Sequence, residues 1–179
     1  MKQINVAQFI KLPLNEQLPY ITLFSSLRSK EWLKININEL SYNDVRNLYK
    51  KLSKSTEIET VKSIFETAFK INEDDFYNLP LQNYFQLKKY LSNYFVNLQK
   101  KETLLLKSVN NDDGVWELAG GEMLNEFGDI LPLSQLAKIY GGYPFDYGKQ
   151  KYVEIIYLLR MNNVQGQVEN EYQKIKSKK

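Results

Sequence analysis

No glycine occurs before residue 114, and all but one of the chain's 8 glycines fall between Gly114 and Gly148, the exception being Gly166. With only 5 prolines besides, this chain of 179 residues has few positions where its backbone can turn sharply or take positive φ. Such a distribution suits helices joined by short connections. It divides the chain into a mostly helical N-terminal part (1–109), a Gly-rich corner region (110–148) and a long C-terminal helix (147–176). The expected fold is all-α, an irregular multi-helix bundle with a long C-terminal helix, in a single domain over 1–179. Strand is an alternative in the first dozen residues and around KININ, because INVAQFI and WLKINI contain β-favouring residues.

Apolar spacing supplies the individual helices. NEQLPYITLFSSL (15–27) predicts a helix carrying Leu18, Ile21, Leu23, Phe24 and Leu27, with Pro19 tolerated in its first turn. Ser41, with Asp44 three residues on, forms an imperfect capping box before Val45, Leu48, Tyr49 and Leu52, which share one helical face. Thr56 and Glu59 predict a second box, ahead of Ile58, Val61, Ile64, Phe65, Ala68 and Phe69. Asn72 opens an acidic stretch suited to a helix N-terminus or a turn. Pro80 then starts a long helix with Tyr84, Leu87, Leu91, Tyr94, Phe95 and Leu98 on its apolar stripe. Asn110 to Gly114 reads as a loop, followed by short helices over 122–127 and 133–140.

The last helix changes character along its length. Tyr152, Ile155, Ile156 and Leu159 make a strong core face. Beyond them only Val164, Val168, Tyr172 and Ile175 continue, as a narrower seam interrupted by Asn162, Asn163 and Gly166. That seam suits docking on another chain or packing on the N-terminal helices of its own. Trp116 has two readings in the same way: a core plug at a helical corner, or the anchor of a contact epitope.

The chain contains no histidine and no cysteine, which removes thiol nucleophiles, imidazole bases, disulfides and zinc sites built on those ligands. GGYPFDYGKQKY (141–152) approaches a phosphate-binding loop but fails it. The spacing from Gly142 to Gly148 is one residue too long, Gln150 stands where a magnesium-binding hydroxyl belongs, and the preceding PLSQLAKIY is helical rather than a strand. The stretch is expected to form a corner between helices, with Tyr143, Phe145 and Tyr147 plugged into the core and Pro144 and Asp146 setting the helix start. Glu73–Asp75 and Asp112–Asp113 read as solvated turns or caps rather than acid–base pairs, and NNDDG lacks the alternation of a calcium loop. No catalytic residue, cofactor or metal is expected.

With 24 basic and 21 acidic residues the net charge is +3, too balanced to identify a polyanion as partner. A nucleic-acid-associated accessory protein is the alternative reading, using Lys88, Lys89, Lys149, Lys151 and the basic tail. No apolar run has the length of a signal peptide or a membrane span, so a soluble intracellular protein is expected.

Two segments, DDFYNLPLQNYFQLKKYL (74–91) and LAKIYGGYPFDYGKQKYVEIIYLL (136–159), together resemble small helical proteins of tailed bacteriophages. The similar types are tail or baseplate assembly chaperones and head–tail connector ring proteins. The Asn-, Lys- and Tyr-rich composition agrees with the AT-rich genomes many phages have. The resemblance implies a non-enzymatic role in the host cytoplasm or the virion, in which aromatic and charged surfaces bind other virion or assembly proteins, with homo-oligomers among the options. Val164, Val168, Tyr172 and Ile175, with Trp116, are the expected partner-binding residues.

Overall fold

A computed structural model of the chain describes residues 3–28, 33–53, 57–106 and 121–177. The protein is all-α. Among the described residues β-type pairing is limited to two isolated bridges, Asn5 with Pro80 and Ser41 with Lys151, and the early β-favouring segment INVAQFI forms a short helix instead. The helices are α1 (Val6–Ile10), α2 (Leu14–Ser25), α3 (Tyr42–Ser53), α4 (Ile58–Phe69), α5 (Glu73–Asn78), α6 (Leu81–Leu106), α7 (Ile130–Tyr140), α8 (Pro144–Tyr147) and α9 (Tyr152–Ser177). Single 3₁₀ segments cover Ile37–Glu39 and Gly121–Phe127.

The chain forms two compact units. The first comprises Met1–Asn36 with Asn47–Gln99, the second Ile37–Arg46 with Lys100–Lys179. In the first unit, α1 is held by a reciprocal cap in which Gln8 N–H donates to Asn5 Oδ1 (2.9 Å) and Asn5 N–H to Gln8 Oε1 (3.0 Å). Val6 N–H then reaches Leu79 O, and Leu81 N–H reaches Ile4 O, which fixes the start of α6 beside α1. Asn72 caps α5 by accepting from Asp75 N–H, so the acidic run Glu73–Asp75 occupies a helix first turn, where its charge opposes the positive end of the dipole. Phe65, Phe76 and Tyr84 meet within 5.4–6.0 Å at the centre of this unit, joined by the buried Val6, Val61, Ile64, Leu81 and Leu87.

Several predicted boundaries shift. Helix α2 begins at Leu14, so Pro19 lies in its second turn rather than its first, and the helix buries none of its residues. Helix α4 starts at Ile58 with Glu57 at the N-cap and no side-chain cap bond; Thr56 lies outside the described residues. The C-terminal helix starts at Tyr152, five residues later than expected, because the 147–151 segment is taken up by the end of α8 and a turn. The Asn110–Gly114 loop also lies outside the described residues.

Candidate interaction surface

The second unit is organised around the start of α3. Its capping box is complete: Asp44 N–H donates to Ser41 Oγ (3.1 Å), and Asp44 Oδ2 accepts from Ser41 Oγ (2.8 Å) and Ser41 N–H (3.1 Å). Aspartate thus closes the box that more often uses Glu or Gln. Three backbone bonds of 2.9 Å clamp this helix start to that of α9, from Tyr42 N–H to Gln150 O, Asn43 N–H to Gly148 O and Tyr152 N–H to Leu40 O. The approach is close enough that a Cβ on Gly148 would meet the Asn43 side chain at 2.5–2.8 Å.

Beneath the clamp sits a polar cluster. Tyr42 and Tyr152 stack at 6.4 Å, and the Arg46 guanidinium lies 4.8 Å over the Tyr42 ring. Arg46 pairs in two-pronged fashion with Glu102, the one buried charged residue among those described, and has Asp129 at 3.6 Å from Nε. Tyr152 Oη also donates to Glu102, at 3.3 Å. Burial opposes the charge on Arg46, but its bonds to Glu102 and Tyr42 and the facing Glu102 carboxylate hold its pKa above the ordinary value. Burial pushes the Tyr42 phenol up, and Arg46 partly offsets this. Nothing in the sequence marks this cluster, since Arg46 and Glu102 are far apart in the chain and neither belongs to a motif.

The same unit has an open cleft of about 610 Å³, lined by Arg46, Leu106, Pro132, Gln135, Lys138, Ile139, Leu159, Asn162 and Asn163. One wall is the polar interruption in α9. Asn162 accepts from Tyr140 Oη at 2.7 Å, and Asn163 donates to Leu106 O at 3.1 Å. These bonds give the interruption a structural use: it seats the middle of α9 on its own unit where apolar side chains run out.

The opposite side of α9 faces solvent. Val164 (49% exposed), Val168 (64%), Tyr172 (61%) and Ile175 (61%) are all uncovered, and the row continues toward the core end through Met161 and Tyr157. The second unit, to which α9 belongs, therefore leaves the seam uncovered. The sequence reading missed Tyr157 and Met161, although the signal was there: Tyr157 and Val168, Met161 and Tyr172, and Val164 and Ile175 are each eleven residues apart. An eleven-residue repeat keeps a row on one side of a straight helix. Trp116 lies outside the described residues.

The corner GGYPFDYGKQKY differs from expectation. Pro144 does start a helix, α8, but Tyr143 is 61% and Phe145 54% exposed, their rings tilted against each other at 5.3 Å rather than plugged into the core. Their burial is unnecessary because the turn is fixed by backbone: Gly141 and Gly142 take φ of 82° and 85°, and Tyr147 Oη donates to Gly141 O. Lys149 projects into solvent beside Asp146, from a turn rather than a helix. Lys88 and Lys89 belong to the first unit and Lys149 and Lys151 to the second. Lys88 is half-buried, which lowers its pKa, and Lys89 donates to Leu27 O.

Among the described residues no group of three or more acidic side chains could hold a metal ion, and no helix is long and apolar enough to cross a membrane. No protein-family model, curated protein or solved structure matches the chain.

Proposed function

We propose that this chain works by protein–protein contact, as a non-enzymatic structural or assembly protein of a bacteriophage virion at the tail or connector. One observation carries the contact reading. The last helix presents five turns of uncovered apolar side chains, from Tyr157 to Ile175, on the side facing away from its own unit. Leaving such a row in water is unfavourable by roughly 25 cal/mol per Å², and rows of this size mark interaction sites. The virion assignment rests on the likeness of segments 74–91 and 136–159 to small helical phage proteins.

The test is sedimentation of a lysate in which the gene is expressed with its genomic neighbours. The chain should travel with rings, tails or other sub-assemblies containing different proteins, and Val168→Asp should release it to the slow fraction. A wild-type chain that stays in the slow fraction throughout, or that binds DNA in a salt-dependent way at physiological ionic strength, refutes the proposal.

A further inference from the structure

The row on α9 has the symmetry of a surface that meets itself. We infer that its occupant is a second copy of this chain, paired antiparallel through α9 about a two-fold axis near Gly166; this rests on the contact reading above and names the partner. An isologous interface requires a patch that maps onto itself on rotation by half a turn. Reflected about residue 166, Tyr157 falls opposite the partner's Ile175, Val164 opposite the partner's Val168, and Met161 within one residue of the partner's Tyr172. One residue is about 1.5 Å along a helix, well inside the reach of these side chains. The two smallest side chains of the row, both valine, fall nearest the axis and the larger ones toward its ends, as in a pair of straight helices in close approach.

The exposed charges flanking the row agree with the same register. Arg160 and Glu171 lie on one flank, and the rotation brings Arg160 within one residue of the partner's Glu171, twice per pair. On the other flank Glu154 comes within two residues of the partner's Lys176, again twice. A parallel pair sets Arg160 against the uncharged partner's Gln165 and loses this match. The buried area is also sufficient. Six side chains, each 40–68% exposed, at roughly 100 Å² apiece remove on the order of 1,200 Å² across the pair, the lower bound for a stable interface.

The experiment uses the purified full chain, which has no cysteine of its own. Sedimentation equilibrium should give twice the monomer mass of 21.1 kDa. Val168→Asp should weaken pairing by about 100-fold with an unchanged far-UV spectrum, because Val168 is 64% exposed in its own unit. Arg160→Glu should weaken it by about tenfold, and Arg160→Glu with Glu171→Arg should restore it. Copies carrying Tyr157→Cys should cross-link to copies carrying Ile175→Cys, whereas Ile175→Cys alone should not, its two sites being roughly 27 Å apart in the antiparallel pair. A wild-type chain that remains monomeric at about 100 μM overturns the self-pairing, and the co-sedimentation test then decides the assembly reading separately. A dimer indifferent to Val168→Asp, or one in which Ile175→Cys cross-links to itself, also overturns it.

Discussion

Replacing Arg46 by methionine should be among the most damaging single changes in the second unit. The substitution keeps an unbranched apolar side chain but removes the guanidinium that lies over the Tyr42 ring and gives Glu102 two of its hydrogen bonds. Glu102 retains the Tyr152 hydroxyl at 3.3 Å, and its side chain is only 9% exposed. An uncompensated charge at such depth costs about 3–5 kcal/mol. Arg46 is itself 18% exposed, so water enters more readily once it is gone, which favours the lower figure. A loss of about 3 kcal/mol in a chain of this size lowers Tm by roughly 6–12 °C. Replacing both partners, Arg46→Met with Glu102→Leu, removes the stranded charge and should recover most of that loss, leaving a coupling of about 3 kcal/mol in a double-mutant cycle. Thermal melts followed by circular dichroism on the four proteins measure it. If Arg46→Met costs less than about 1 kcal/mol, or the double variant is no more stable than the single, the pair behaves as a solvated surface pair and the reasoning fails.

Two further outcomes follow from the packing. Gly148→Ala places a methyl group against Asn43 at 2.5–2.8 Å and should destabilise by about 1–3 kcal/mol; adding Asn43→Ala should relieve it, and a melt showing no rescue would place the strain elsewhere. Burial raises the Tyr84 phenol from 10.0 to about 12. The folded state therefore holds this proton more tightly than the unfolded chain, and the stability it contributes is complete below pH 10 and lost as pH rises toward 12. The total is about 2–3 kcal/mol. Tyr84→Phe should flatten the fall between pH 10 and 12 in urea titrations, and an unchanged slope counts against burial as its cause.

What the sequence made legible was local. The capping box at Ser41, the apolar faces of α4 and α6, and the helix start at Pro144 all depend on residues within a few positions of each other, and each forms as its spacing implies. The Arg46–Glu102 pair, separated by 56 residues, has no local signature, because a charged residue inside a helix looks the same whether it will be solvated or buried. The aromatics of the corner failed for a related reason. Hydrophobicity predicts that Tyr143 and Phe145 prefer burial, but whether anything lies across from them depends on the path of distant segments.

The two sides of α9 show how these levels combine. From Tyr152 to Ile156 the helix is held by core packing, and past Leu159 its inner side is held by Asn162 and Asn163 through hydrogen bonds to Tyr140 and Leu106. Polar seating on the inside leaves the apolar residues of this stretch to the outside, where their spacing is regular and charges of both signs flank them. An irregular solvent face would carry scattered apolar residues, which need no explanation. A row repeated at eleven residues, turned away from the unit to which α9 belongs, is instead the feature on which the proposed pairing rests.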